Sequence, residues 1–391
     1  MSAPTPIYLD HAATSPLRKD VLEAMLPILQ GPPANPGSQH RFGRRASAQL
    51  EAARSEAALT LGVPSSWIYF VRGGTEGDNL AILGGVKALQ QRVDGEAGLV
   101  ISAVEHSAVW EPAHALQKAG VPLTTVDLRP SGHLNWEDLP VKVARRPALY
   151  SFMAVNNETG HRLPIQEVGE RARACGGWFH TDLVQAVGRI PLELAQLPVD
   201  MATLSGHKLG GPMGTGILMV REGVTLEPLL KGGGQERGVR PGTQDVAGAV
   251  GMARALRLAV ASQKEESQRL ETLRNRLEAA LLREIPGLSI HGGNAPRAPH
   301  ILNVGVPGVE RETLHMALDL AGVAASPGSA CSSGGQGPGR ILQALYGQES
   351  EGRAPLRFSL GHTSTQSDMD EAARRTGDTV RRLRVIPEVV S

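Results

Sequence analysis

Met201-Ala202-Thr203-Leu204-Ser205-Gly206-His207-Lys208 is the stretch from which the chain is best read. Four residues suited to a buried strand run into a polar turn that ends on a lysine. An amine at a strand end is hard to extend into water, and desolvation lowers its pKa, which suits a lysine that forms a Schiff base. The other lysines are Lys19, Lys87, Lys118, Lys142, Lys231 and Lys264. Most of these fall in polar helical stretches, where a solvated surface amine is the ordinary reading. Lys208 by itself is also compatible with a loop lysine, so its meaning depends on what lies upstream.

Upstream, Gly177-Trp178-Phe179-His180-Thr181-Asp182 reads as a second short strand ending on a carboxylate, with Gln185 three positions on. In α/β sheets ligands sit beyond the carboxyl ends of the strands, so Asp182 and Lys208 are expected to share one crevice. Either residue alone has a plainer role; an Asp here could cap the next helix. Together they match the needs of pyridoxal 5'-phosphate (PLP), which uses a lysine at one end of its ring and an Asp at the pyridine nitrogen. A phosphate cradle is expected at Arg72-Gly73-Gly74-Thr75-Glu76, between the apolar strand Trp67–Phe70 and an amphipathic segment. Glycines allow close backbone approach, and a helix start offers free N–H groups. Ser205 and His207 are further phosphate donors. Glu105-His106 follows the strand Leu99–Ile101 and places an imidazole where it can stack on a flat ring.

The strand candidates 68–70, 99–101, 123–126, 149–153, 178–180, 203–205 and 216–220 alternate with helical stretches. This is the pattern of a mainly parallel, seven-stranded sheet flanked by helices. Helical periodicity is plain over 44–61 and over 246–282, the latter long enough to link two lobes. The remainder reads as a smaller α+β domain: strands at 288–291, 300–304 and 356–360, helices at 311–320 and 366–383. We expect a large domain over 16–255. A small domain of 1–15 with 256–391 should carry a cysteine loop at 326–339.

Composition narrows the class. In 391 residues, 40 Lys+Arg face 39 Asp+Glu, for a net charge of +1. No basic field for direct nucleic-acid binding exists. Aromatic residues make up 3%, too few for a base-stacking platform. No apolar run approaches the roughly 18 residues of a membrane helix, and the first residues lack a signal-peptide pattern. The expectation is a cytoplasmic protein. Two cysteines make no disulfide framework, and no metal-ligand spacing occurs. Cys175 reads as a small buried hydrophobe. Cys331 differs: Ser326-Pro327-Gly328-Ser329-Ala330-Cys331-Ser332-Ser333-Gly334-Gly335 surrounds it with residues too small to bury it. An accessible thiol of this kind is a candidate nucleophile. Arg357, set between apolar strand residues, suits a bidentate clamp on a substrate carboxylate, with a structural ion pair as the rival reading.

With these residues in view the chain resembles the cysteine desulfurases, PLP enzymes of the class V aminotransferase group. Tyr8-Leu9-Asp10-His11-Ala12-Ala13-Thr14, Asn35-Pro36-Gly37-Ser38, Gly74-Thr75-Glu76, Glu105-His106 and Asn156-Asn157-Glu158 carry the resemblance. His180-Thr181-Asp182 with Gln185, Ser205-Gly206-His207-Lys208, Gly232-Gly233-Gly234-Gln235-Glu236 and Gly242-Thr243 continue it. Gly328-Ser329-Ala330-Cys331 and Arg357-Phe358-Ser359-Leu360-Gly361 complete it. The long stretch between Cys331 and Arg357 is similar to the NifS/IscS-like branch. The resemblance implies fold type I of PLP-dependent transferases. It implies that Lys208 bonds the cofactor, His106 stacks on it and moves protons, Asp182 meets the pyridine nitrogen and Gln185 the phenolic oxygen. Thr75, Ser205 and His207 would hold the phosphate, with Thr243 arriving from the second subunit of a homodimer. Asn157 and Arg357 would grip the substrate carboxylate.

The implied reaction takes L-cysteine to L-alanine, leaves a persulfide on Cys331 and passes the sulfur to a protein acceptor for iron–sulfur cluster, thio-cofactor or tRNA synthesis. Departures from the usual pattern are His11 for Asn, Pro327 for Ser, Leu183 for Ala and Met213 for Lys. A class V aminotransferase or selenocysteine lyase would keep the same PLP constellation, though an aminotransferase needs no cysteine at 331. A non-catalytic PLP-binding scaffold would have no need of Lys208, Cys331 and Arg357 together.

Overall fold

A computed structural model describes residues 5–93, 95, 97–139, 146–327 and 339–385. The strands in chain order begin with β1 (Ile7–Tyr8), β2 (Ile68–Val71), β3 (Gly98–Ser102), β4 (Leu123–Val126), β5 (Ala148–Ser151) and β6 (Trp178–Asp182). They continue with β7 (Met201–Ser205), β8 (Gly216–Val220), β9 (Ser289–His291), β10 (Ile301–Pro307), β11 (Val323–Ala324) and β12 (Arg353–Ser359).

Seven of them form one sheet in the order β2-β8-β7-β6-β5-β3-β4. Strands β7, β6, β5, β3 and β4 pair in parallel. Strand β8 runs antiparallel to both its neighbours, so β2 points the same way as β7. The expected seven-stranded, mainly parallel sheet is therefore present. Its side chains alternate faces, as a pleated strand requires. Val100, Tyr150, Phe179, Ala202 and Ile217 pack into a core shared with the helices Arg41–Leu61 and Val246–Ala261. Leu99, Leu149, Trp178, Met201 and Leu218 pack on the opposite side, against the helical run that starts at Gly74. Both faces are covered, which explains why these strands read as nearly continuous apolar runs.

A second core gathers around the antiparallel sheet β12-β10-β9. The helices Gln263–Glu284 and Gln366–Val385 contribute Leu270, Leu277, Met369 and Val380 to it. Ile7 and Leu9 enter the same core, because β1 pairs in parallel with β11 and Asp10 bridges to Ser359. The helical stretch read over 246–282 is two helices, interrupted at Ser262 (φ −96°, ψ 5°). Ser262 Oγ donates back to the Leu258 carbonyl at 2.9 Å, and this competes with regular helix continuation. The helix Arg340–Tyr346 returns to the large sheet's side, where Ile341 and Leu345 join the first core. No helix among the described residues is long and apolar enough to cross a membrane.

Candidate active site

The parallel strands deliver their C-terminal ends to one cavity of about 530 Å³. Lys208, Asp182, His106, Gln185, Gly74, Thr75, Ser205, His207, Asn157 and Arg357 all line it. Residues separated by up to 283 positions in the chain thus converge as the sequence reading expected. Thr243 is exposed and lies outside this cavity, beside Gly242 with its left-handed φ of +109°. Cys331 lies outside the described residues, as does most of the 326–339 stretch. Among the flanking positions, Ser326 lines the cavity.

Lys208 follows β7 by one short turn and is half-buried. Its Nζ donates to the carbonyl of Ala12 at 2.8 Å and also to that of Ala13. Burial, with Arg357 adding, pulls the amine down to about 8, so a useful fraction is neutral near neutral pH. Asp182 ends β6, and its Oδ1 accepts the Val184 N–H at 2.8 Å. Burial raises its carboxyl to about 6. A cation placed against it would favour the charged form.

His106 caps the helix Ser107–Lys118, and its Nδ1 accepts the Ala108 N–H at 3.1 Å. That bond puts the ring proton on Nε2. Burial and the neighbouring Lys208 hold the imidazole down at about 4, so it is neutral. Glu105, fully buried just before it, accepts from Ser102 Oγ at 2.5 Å and from the Met153 N–H at 3.0 Å. Its carboxyl is pushed up to about 8 by burial.

The Gly73–Gly74 turn needs its glycines. Gly73 has φ +111°, and a Cβ on Gly74 would come within 3.1 Å of Val184 Cγ2. The turn opens the helix Gly74–Asn79 toward the cavity. Thr75 and Ser205 hydroxyls have no hydrogen-bond partner among the described residues, while His207 Nδ1 meets Thr14 Oγ1 at 3.1 Å. Gln185 is engaged at both ends: Nε2 donates to the Ala12 carbonyl at 2.9 Å, and Oε1 meets His300 Nε2 at 3.2 Å. The amide nitrogen keeps one further N–H.

These residues fit PLP. A desolvated amine and a buried carboxyl face one cavity, a neutral imidazole sits at its edge, and unpaired hydroxyls border a glycine turn at a helix start. Two further atoms call for a ligand: Asn157 Oδ1 and Arg357 Nε are buried without a hydrogen-bond partner, a costly state in the absence of one.

The site also contains groups that strand-end reasoning passed over. Asp10 lines the cavity and accepts from Arg357 Nη2 at 2.7 Å. Its only sequence signal was its place in the Tyr8–Thr14 motif. Asp78, almost fully buried, sits 3.6 Å from His180 Nε2, and burial raises its carboxyl. Arg340 donates to the Ala103 carbonyl at 2.5 Å and to that of Glu105, with its guanidinium 3.9 Å from the Trp110 ring centroid. No local pattern announced it.

The model of the aminotransferase class-V family matches residues 7–371. The chain belongs to that family, whose enzymes depend on PLP. Its similarities are more specific than the family. It is 38% identical to the cysteine desulfurase IscS of Dictyoglomus turgidum over 97% of this chain and 96% of that protein. Among solved structures, a NifS-like protein superposes with a TM-score of 0.86 at 31% identity, covering 97% of this chain and all of that one. A structure of SspA in complex with cysteine superposes at 0.75 with 32% identity, over 90% of this chain and 98% of that one.

Proposed function

We propose that this chain is a PLP-dependent cysteine desulfurase that converts L-cysteine to L-alanine and holds the sulfane sulfur as a persulfide on Cys331. The observation that carries the reading is the cavity's two-ended chemistry. Lys208, Asp182 and His106 form the cofactor end, while Arg357, whose buried Nε donor lacks a partner, forms a carboxylate-binding end with the Asn157 amide beside it.

Lys208 would hold PLP covalently, Asp182 its ring nitrogen, Gln185 its phenolic oxygen, and Gly74, Thr75, Ser205 and His207 its phosphate. When bound, PLP supplies the electron sink that stabilises negative charge at the substrate's α-carbon. The chain's own residues do the rest. Arg357 and Asn157 orient the substrate carboxylate. Lys208, with a pKa near 8, takes and returns a proton at Nζ. His106 would stack on the ring and presents Nε2 for proton transfer. Cys331 as thiolate attacks the substrate sulfur: an S–S bond forms, the C–S bond breaks, and its electron pair remains with the substrate carbon, which is protonated to give alanine.

A homodimer in which Thr243 completes the partner's phosphate site accounts for an exposed Thr243 outside the cavity. A cytoplasmic setting and a protein sulfur acceptor, such as an iron–sulfur scaffold or sulfur carrier, complete the reading. Alanine and sulfide release from L-cysteine, measured with and without dithiothreitol, tests it. Stoichiometric alanine with reductant-dependent sulfide is expected; a keto acid with no sulfide would replace the proposal with aminotransferase chemistry.

A further inference from the structure

Arg357 is fixed in place. Its backbone exchanges two hydrogen bonds with Ser326 (2.7 and 3.0 Å) and pairs in register with Asn303. Its Nη1 donates to the Asn157 carbonyl at 2.8 Å and its Nη2 to Asp10 Oδ1 at 2.7 Å. The side chains are 5% exposed for Arg357 and 24% for Asp10, so the carboxylate, not the guanidinium, is the face a ligand meets first. Asp10's backbone is also held: its carbonyl accepts from the Ala13 N–H at 3.0 Å and from Tyr8 Oη at 3.1 Å. Only its side-chain torsions are free to change. Two residues on, the Ala12 carbonyl accepts from Lys208 Nζ. Asp10 therefore shares the cavity with the clamp for a carboxylate and lies close enough to Lys208, at which a substrate amine must arrive, for their charges to interact.

We propose that Asp10 is a specificity-determining residue: it occupies Arg357 Nη2 until a substrate carboxylate displaces it, and it then pairs with the substrate's α-ammonium. This rests on the reading of Arg357 as the carboxylate clamp. The exchange conserves charge pairs only for a zwitterion. A plain carboxylate would win Nη2 and bring no cation to the displaced Asp10, and losing a charge partner is costly for a carboxylate only 24% exposed. The cavity thereby admits α-amino acids and rejects monocarboxylates of the same size.

Calorimetric titration of the holoenzyme with propionate and with L-alanine, which differ in the ammonium, tests this. Asp10→Asn should bind propionate roughly tenfold or more tightly than the wild type, as expected for a competing charge-assisted bond that has been removed. It should not bind L-alanine more tightly. Asp10→Ser should behave alike and guards against a folding defect peculiar to one variant. Propionate affinity that is unchanged or weaker in both variants overturns the proposal, because Asp10 would then be a splint for Arg357. Arg357→Ala in the Asp10→Asn background separates the two readings. Loss of the gained propionate binding supports the clamp, whereas its persistence removes Arg357 from the carboxylate site.

Discussion

Arg54 and Glu236 meet through two buried hydrogen bonds, Nη1 to Oε2 at 2.8 Å and Nη2 to Oε1 at 2.9 Å. Glu236 further accepts from the Phe70 N–H at 2.9 Å and Gln244 Nε2 at 3.1 Å. It does so from a left-handed backbone conformation (φ 47°), as does Arg237 (φ 54°), a strain that the surrounding bonds must outweigh. The pair ties the 41–61 helix and β2 to the segment leading to Thr243. Glu236→Ala would leave the buried Arg54 guanidinium with only Glu51 and the Ile68 carbonyl as partners, and should cost about 1.5–3 kcal/mol. Urea unfolding checks this; a loss below about 1 kcal/mol would show that the pair is dispensable.

Lys208 is the expected point of cofactor attachment. Reduction with borohydride followed by peptide mapping should place PLP on the peptide containing Lys208. Lys231, solvent-exposed and 4.0 Å from Glu227, should stay unlabelled. A pKa near 8 leaves roughly one amine in ten neutral at pH 7, against about one in three thousand for an ordinary lysine. The rate at which apo-protein takes up PLP should therefore rise with pH and level off just above 8. A rate still climbing beyond pH 10 would contradict the depressed amine.

His11 predicts an acid-side loss of stability. Burial, with Arg189 and His362 adding, holds its imidazole down at about 3, against about 6.5 in the unfolded chain. A depressed folded pKa contributes stability that is complete above 6.5 and lost as pH falls, by about 1.4 kcal/mol per unit. His11→Asn should lose less stability than the wild type between pH 6.5 and 4. Glu105, raised to about 8, has the opposite sign, and its contribution fades as pH rises; it is common to both proteins and cancels in the difference. Parallel stability curves would sink the prediction.

The two cysteines should separate cleanly. Cys175 is buried, and its Sγ donates to the Ala172 carbonyl at 3.2 Å, so Cys175→Ser should leave turnover near wild type. Cys331→Ser should still bind L-cysteine, seen as a change in cofactor absorbance, but should form no persulfide and release no sulfide. Mass spectrometry after one turnover without reductant should find one added sulfur on the Cys331 peptide. Sulfur on the Cys175 peptide would overturn the assignment.

The sheet and the cofactor end of the site were legible in the sequence because strand ends carry them. β6 ends on Asp182, β7 leads into Lys208, and β3 runs on to His106, so local pattern and global position coincide. Residues whose roles depend on distant partners were not legible. Asp10 and Arg357 are 347 positions apart, and nothing near either one announces the other. Asp78 sat in the helix Gly74–Asn79, where nothing local sets it apart from a surface acid. The interruption at Ser262 did have a signal, Ser262 with Glu265 three residues later, the pattern of a capping box. Continuous apolar periodicity across the break concealed it.

Both flanks of the cysteine-bearing stretch are moored at the cavity: Ser326 through its paired bonds with Arg357, Arg340 on the carbonyls of Ala103 and Glu105. The consequence is a leash of fixed length. Cys331 is five residues from Ser326 (331 − 326), and a chain extends at most about 3.6 Å per residue. Chain length alone bounds the Cys331 Cα to about 18 Å from that of Ser326. If Cys331 is the nucleophile proposed, tethering of this kind would give its thiol a local concentration in the millimolar range or above. On the proposed function, a sulfur acceptor would have to come inside the same radius.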